Sequence, residues 1–157
     1  MTASGEEIPD PDRLTLSFEV AAPVDRAFRT WTTRAGIWWP RGHTVSGDPE
    51  SVVFEPYVGG RIVERARDNS EHVWGEITRW DEPHRIDFRW HLFFDPSEAT
   101  SVSLTFEPIH DSTRIRIEQT GFAALGAAGR MRREGNIGGW SAVTGTFVEH
   151  LAALESS

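Results

Sequence analysis

The side chains able to do acid–base or metal chemistry are scattered along this sequence. Cysteine is absent, which excludes disulfides, thiol nucleophiles and cysteine-ligated zinc. No hydrolase elbow, zincin motif or phosphate-binding loop occurs. No two histidines have metal-ligand spacing within one predicted element; they are His43, His72, His84, His91, His110 and His150. We therefore expect no metal and no cofactor, and we name no catalytic residue.

Polar residues within predicted strands are the remaining candidates for chemistry. Glu64, Glu76 and His91 lie in strands that can border a cavity. Burial would raise the pKa of an inward-facing Glu76 and make it a possible acid or base, with a hydrogen-bonded structural carboxylate as the alternative. His91 alternates with Trp90 along its strand, so we expect His91 to face solvent.

Aromatic residues are abundant, with seven Trp and nine Phe against a single Tyr. They either form a bulky core or partly line a small-molecule cavity, because aromatic walls are common in such sites. Trp38 and Trp39 lie in a glycine-flanked segment, where they could form a movable lid. The candidate ligand-binding residues are Trp38, Trp39, Phe54, Trp74, Glu76, Trp90, Phe106, Trp140 and Phe147.

Most of the elements that would position these residues are predicted strands. Residues 14–20 alternate apolar and polar, and Pro23 then suits the first turn of a helix. Between Ser51 and Gln119 the apolar residues recur with period two, and short connections indicate antiparallel pairing. The predicted strands there are 51–55, 61–67, 72–80 with a possible bulge at Gly75, 85–92, 101–107 and 114–118.

The chain ends in a predicted amphipathic helix that opens at Gly139 and Trp140. Its apolar positions recur at three, four and seven residues, as on one helix face: Trp140, Val143, Phe147, Val148, Leu151 and Leu154. Residues 120–137 are rich in glycine and alanine, so we expect a loop with one or two helical turns. Arg130, Arg132 and Arg133 in this segment either meet an acidic ligand at a cavity mouth or form a solvated turn.

This order of elements predicts an α+β fold in which a curved antiparallel sheet of about seven strands wraps round the long C-terminal helix. One helix is narrow for such a sheet, so we expect an apolar cavity between them. The rival interpretation is that the same aromatic side chains fill the gap, since protein interiors are close-packed. We expect a flexible N-terminal tail over residues 1–12 and one domain over residues 13–155.

Composition restricts the partners of this chain. The net charge is −8, from 16 basic and 24 acidic residues, which argues against nucleic acid and against an anionic membrane surface. The N-terminus has no apolar signal region, and no apolar run reaches the length of a membrane span. We expect a soluble cytoplasmic protein that is a monomer or a homodimer.

A series of short motifs follows one another in a specific order. They are Ala22-Pro23-Val24 with Ala27-Phe28, Trp38-Trp39, Gly59-Gly60-Arg61, Gly75-Glu76-Ile77, Asp81-Glu82-Pro83-His84-Arg85-Ile86, Ser112-Thr113-Arg114-Ile115, Gly121-Phe122 and Gly139-Trp140. In this order they resemble the SRPBCC or START-like superfamily, which has the helix-grip fold. Within it, the chain is similar to bacterial proteins that resemble the activator of the heat-shock-protein-90 ATPase.

The resemblance implies a cavity rather than a particular reaction. Relatives in the superfamily bind lipids, sterols or polyketides, and some act as aromatase/cyclases. Trp38-Trp39-Pro40 and the basic run 130–140 also resemble enediyne self-resistance proteins, which are cleaved in place of DNA. We interpret the chain as a binding protein for a hydrophobic or aromatic small molecule. The alternatives are an aromatase/cyclase-like enzyme, a self-sacrifice resistance protein and a chaperone-binding module.

Overall fold

The computed structural model describes residues 10–155. The seven strands are β1 (Arg13–Val20), β2 (Pro49–Phe54), β3 (Arg61–Ala66), β4 (Glu71–Asp81), β5 (Arg85–Trp90), β6 (Thr100–Ile109) and β7 (Ser112–Thr120). Two helices, α1 (Val24–Thr33) and α2 (Ala35–Trp38), follow β1, and the long helix α3 (Ala127–Glu155) follows β7. Short 3-10 turns occupy Arg41–His43, Pro96–Glu98 and Ala123–Leu125.

The strands form one antiparallel sheet in the order β1-β7-β6-β5-β4-β3-β2. From β2 onward each strand pairs with the next in the chain, because the connections are too short for anything but antiparallel neighbours. β1 completes the sheet beside β7. The sheet curls into a half-barrel against the long C-terminal helix, and the predicted α+β helix-grip fold is confirmed.

A bulge in β4 changes which of its side chains face inward. The pairing of β3 with β4 slips by one residue at Trp74. The next residue is Gly75, where a Cβ would lie 2.0 Å from the carbonyl oxygen of Arg89, so glycine is required. Beyond the bulge Ile77 is buried and Glu76 is exposed. The inward orientation considered for Glu76 is therefore wrong, because the extra residue inverts the alternation.

The hydrophobic core lies between the concave face of the sheet and the helices. Its largest fully buried side chains come from α1, α3, five of the strands and the segment that follows β7: Trp31, Trp74, Phe28, Phe88, Phe106, Phe122, Phe147, Ile62, Ile77, Ile86, Leu104 and Ile115. The ring of Trp31 lies 4.7 Å from Trp38 and 4.9 Å from Phe147, centroid to centroid. These rings join α1, α2 and α3 into one aromatic cluster.

Helix α3 is longer than the sequence pattern predicts, because it begins at Ala127 and runs for 29 residues. The loop expected over residues 120–137 is wrong in its second half. Glycine and alanine obscure the pattern, yet packing overrides glycine's weak helix propensity here. The guanidinium of Arg133 donates to the carbonyl of Arg13, and Gly129 lies so close to Phe122 that a Cβ would lie 1.9 Å from its carbonyl oxygen.

Trp38 and Trp39 are fixed parts of the core, so the lid expected from their flanking glycines is wrong. Both side chains are buried. The indole of Trp38 donates to the carbonyl of Thr30 at 3.1 Å, and the indole of Trp39 donates to the carbonyl of His43 at 3.1 Å. Each ring therefore has both an apolar environment and a partner for its N–H.

The ends of the chain are only partly described. Residues 1–9 of the predicted tail lie outside the described residues, while the carboxylate of Asp12 accepts a hydrogen bond from the backbone N–H of Ala123 at 2.9 Å. Over residues 10–155, no helix has the length and apolar character needed to cross a membrane.

Candidate functional site

A cavity of about 510 Å³ lies between the N-terminal half of α3 and the end of β5 with the loop that follows it. Its position depends on the early start of α3, because most of its lining residues on that helix precede Trp140. The lining residues are Trp39, His43, Trp90, Leu92, Phe93, Phe94, Ala128, Met131, Arg132, Gly135, Asn136, Gly139, Trp140 and Val143.

Three tryptophans, Trp39, Trp90 and Trp140, form one side of this cavity, which we call the tryptophan wall. The rings of Trp90 and Trp140 are stacked, with centroids 5.5 Å apart and planes at 29°. Trp39 lies 6.0 Å from Trp90 and 6.3 Å from Trp140. All three side chains are buried, with 4–5% of their surface exposed, so the wall borders the cavity with rigid aromatic rings whose remaining exposed surface is small.

The remaining candidate residues do not line this cavity. Trp38, Trp74, Phe54, Phe106 and Phe147 are buried in the core, where each packs against other aromatic rings. Trp74, for example, lies 5.0 Å from Trp39 and 5.8 Å from Trp90, ring to ring. The aromatic side chains therefore mainly fill the core, and Trp39, Trp90 and Trp140 border the cavity as buried members of that core.

The mouth of the cavity has an apolar rim formed by Phe93, Phe94 and Met131. All three side chains are exposed although they are apolar. Phe93 also has a φ of 71°, a backbone conformation that bulky residues rarely adopt. Exposed apolar surface and local backbone strain together are typical of ligand sites.

Three polar side chains line the same cavity. Arg132 is buried and donates to the carbonyl of Trp90 at 2.9 Å and to that of Glu98. Asn136 lies one helical turn further along α3, and its Nδ2 is buried without a hydrogen-bond partner. His43 is half-buried on the opposite side. The cavity thus combines an aromatic wall with a few polar groups, the usual composition of a small-molecule site.

A buried network of hydrogen bonds holds the tryptophan wall to the sheet. The indole N–H of Trp140 donates to Oε1 of Gln119 at 2.8 Å. Nε2 of Gln119 donates to the hydroxyl of Thr100 at 2.8 Å, and that hydroxyl donates to the carbonyl of Trp90 at 3.3 Å. The same carbonyl accepts from Arg132. The two stacked rings are therefore positioned by polar contacts as well as by packing.

A buried carboxylate, Glu64, supports the wall from behind. Its oxygens accept from the backbone N–H groups of Val45 and Ser46, from the hydroxyl of Ser46, and from the indole of Trp74 at 3.0 Å. Burial alone would raise the pKa of Glu64, but these hydrogen bonds outweigh it and leave the pKa lowered. Glu64 is thus a structural anion outside the cavity lining.

His91 is buried, which corrects the expectation that it faces solvent. β5 ends at Trp90, so the strand alternation does not extend to the next residue. The backbone N–H of His91 donates to the carbonyl of Trp74 at 2.8 Å. Within residues 10–155, no group of three acidic or histidine side chains is placed to hold a metal ion.

Sequence reasoning missed the rim and most of the α3 side of the cavity. A signal was present on α3, because Ala128, Met131, Gly135, Gly139 and Val143 recur at three and four residues, as one helix face does. The small and polar residues on that face make its apolar character hard to recognise in the sequence. On the other side, Phe93 and Phe94 follow a predicted strand directly, but an aromatic pair alone does not indicate whether it faces a cavity.

The fold and this cavity define a helix-grip protein of the SRPBCC type. Residues 21–152 match the family model described as activator of Hsp90 ATPase homolog 1-like protein, and the chain belongs to that family. The resemblance drawn from the motifs is thereby confirmed. No curated protein sequence matches the chain.

Solved structures with the same fold include two above one quarter identity. The self-sacrificing resistance protein CalC from Micromonospora echinospora is 27% identical with a TM-score of 0.70, over 90% of this chain and 95% of CalC. Txn09, an anthrahydroquino-gamma-pyrone synthase, is 29% identical with a TM-score of 0.55, over 85% of this chain and 87% of Txn09. Protein MLL2253 from Mesorhizobium loti is 19% identical with a TM-score of 0.67, over 90% of this chain and 97% of MLL2253.

Proposed function

We propose that this protein binds a planar aromatic small molecule in the cavity beside the tryptophan wall. The observation that carries the proposal is the stacked pair of Trp90 and Trp140, with Trp39 alongside, facing a cavity of about 510 Å³. Small-molecule sites commonly enclose about 300–1,000 Å³. A ligand ring lying against this wall would continue the existing aromatic packing.

The exposed rim favours a ligand over simple core packing. Phe93, Phe94 and Met131 remain exposed beside the cavity, whereas aromatic residues that only fill a core are buried. A bound ring would cover part of this rim and recover apolar burial. The similarity to Txn09, an anthrahydroquino-gamma-pyrone synthase, gives further support, because such a product is a polycyclic aromatic molecule.

Titration with planar polyketides and fatty acids, followed by tryptophan fluorescence, tests the proposal. Three indoles line the cavity, so an aromatic ligand that stacks on them should quench the emission. We expect polycyclic aromatic probes to bind with dissociation constants in the micromolar range, about −8 kcal/mol at 1 μM, and fatty acids to bind more weakly. A panel that gives no binding below about 1 mM, or only fatty-acid binding, would exclude the proposal.

A matched pair of variants locates the binding at the rim. Phe93 is 57% exposed beside the cavity, and Tyr57 is 55% exposed outside its lining. Phe93→Asn suits the positive φ and removes the ring, so we expect weaker binding by about three- to tenfold with no loss of stability. Tyr57→Asn should leave the dissociation constant unchanged. Equal effects of the two changes would contradict binding at this cavity.

A second candidate function is self-sacrifice resistance of the kind named for CalC. Gly135 and Gly139 of α3 line the cavity, which places backbone without side chains next to any bound molecule. Intact-mass spectrometry after incubation with an activated enediyne would show cleavage of the chain near these glycines. The same samples would show conversion of the ligand without chain cleavage if the protein acts as a synthase, as Txn09 is described.

A further inference from the structure

Arg132 is a buried cation at the cavity without an acidic partner. Its side chain is 7% exposed. Two of its N–H groups donate to the neutral carbonyls of Trp90 and Glu98, while its Nε is buried and has no hydrogen-bond partner. Among residues 10–155 no carboxylate forms an ion pair with Arg132. A buried charge in this state lacks the compensation that buried charges usually have.

The surroundings of Arg132 stabilise the guanidinium only in part. The ring of Phe94 lies 3.9 Å from its central carbon and provides a cation–π contact. Burial lowers the pKa of Arg132, and the charge of Glu98 opposes this effect. The guanidinium still remains protonated, as arginine does in proteins. The Glu98 carboxylate is directed elsewhere, since it accepts from the backbone N–H of Asp95 at 3.4 Å.

Asn136 supplies a second unused donor on the same helix face. It is four residues after Arg132, so the two side chains are neighbours on α3, and both line the cavity. Nδ2 of Asn136 is buried and lacks a hydrogen-bond partner. Two residues with unpartnered donor nitrogens, one of them charged, therefore line a cavity that has an aromatic wall, and the nitrogens lie among the buried atoms of those residues.

We propose that the ligand is an aromatic acid whose carboxylate or phenolate oxygen accepts hydrogen bonds from Arg132 and Asn136 while its ring lies against the tryptophan wall. This inference rests on the proposed function and specifies the substrate class. The anion supplies the charge that Arg132 lacks, and charge-assisted hydrogen bonds in a partly desolvated site are stronger than neutral ones. A neutral aromatic ligand would leave the guanidinium uncompensated.

A pair of isosteric probes tests the charge requirement. Anthraquinone-2-carboxylate and anthraquinone-2-carboxamide have the same ring system and nearly the same shape, but only the first is an anion at pH 7. We expect the carboxylate to bind at least about tenfold more tightly, a preference that weakens as salt is added. Equal affinities would overturn the inference about the anion but would still agree with the proposed binding of an aromatic molecule. Failure of both probes to bind would overturn the inference and the proposed function together.

Two variants test whether the preference for the carboxylate probe depends on this face of α3. Arg132→Gln should reduce the carboxylate preference to about onefold, but it also removes two hydrogen bonds to the backbone, so its folding must be checked by circular dichroism. Asn136→Asp removes no hydrogen bond seen within residues 10–155 and places a carboxylate beside Arg132. It should abolish the preference while the carboxamide still binds within about threefold of its original affinity.

Arg130→Gln is the matched control for overall charge. Arg130 is exposed on α3 and does not line the cavity, so its loss changes the net charge equally without touching the site. We expect the carboxylate preference to persist in this variant. If the preference persists in Asn136→Asp and in folded Arg132→Gln as well, or falls equally in Arg130→Gln, the assigned anion site is wrong.

Discussion

Replacing Trp140 with alanine should lower the free energy of unfolding by about 3–5 kcal/mol, the usual cost of removing a large buried aromatic side chain. Trp140 is 4% exposed and stacks on Trp90. Its loss would leave a cavity between α3 and the sheet and would free Oε1 of Gln119 from its buried partner. Urea unfolding measures the change, and a loss below about 1 kcal/mol would contradict the packing of α3 on the sheet.

A comparison of two phenylalanine variants separates the hydrogen bond of Trp140 from its volume. Trp31 is also buried, 1% exposed, but its indole N–H has no hydrogen-bond partner. Trp31→Phe therefore loses volume and removes an unpaired buried N–H without breaking a hydrogen bond, while Trp140→Phe leaves Gln119 without its donor. We expect Trp140→Phe to cost about 1–3 kcal/mol more, the penalty of an unsatisfied buried acceptor. Equal losses would mean that the bond to Gln119 contributes nothing to stability.

The sheet was predictable because four of its strands, β1, β5, β6 and β7, alternate buried and exposed residues over most of their length. In β5, Ile86, Phe88 and Trp90 face inward, as period two requires. Prediction failed where local geometry broke that period. The bulge at Trp74 turned Glu76 outward, and the end of β5 removed His91 from the alternation. The bulge predicted at Gly75 is present, but its effect on the side chains beyond it, like the end of β5, is not visible in the apolar pattern.

The position of the cavity could not be predicted from the sequence. The aromatic excess indicated a tryptophan wall or a tryptophan core, and the aromatic side chains mainly fill the core. The position of the cavity depends on the N-terminal half of α3, whose glycines favour a loop when judged by propensity alone. Contacts far apart in sequence fix that half as helix, such as Arg133 with the carbonyl of Arg13. A periodicity read over neighbouring residues contains no information about contacts between residues that are far apart in the sequence.

The tryptophan wall depends on polar groups that face away from the ligand. Gln119, on the sheet, accepts a hydrogen bond from the indole of Trp140. Glu64 accepts one from the indole of Trp74, whose ring contacts Trp39 and Trp90. Buried polar groups that are fully bonded restrict a core to one arrangement. We infer that stability and the shape of the cavity are linked, so a change at Glu64 should alter both.

Replacing Glu64 with glutamine should cost about 2–4 kcal/mol at pH 7, because the amide keeps the size of the side chain but cannot accept from all the donors around the carboxylate. The side chain is fully buried. Its donors include two backbone N–H groups, at Val45 and Ser46, and the indole of Trp74. Glu76→Gln is the matched control, since Glu76 is exposed on the next strand, and should change stability by less than about 0.5 kcal/mol.

The effect of Glu64→Gln should also depend on pH, with a defined sign. The pKa of Glu64 is lower in the folded protein than its ordinary value of 4.5. The carboxylate therefore stabilises the fold fully above that ordinary value, and its contribution is lost as the pH falls through the lowered pKa. Urea unfolding of both proteins from pH 7 towards pH 3 should show the wild-type advantage shrinking at the acidic end. Other carboxyl groups with lowered pKa, such as Asp48 and Asp95, are common to both proteins and cancel in the difference. A difference that stays constant across this range would mean that Glu64 does not act as the buried anion that positions Trp74 behind the tryptophan wall.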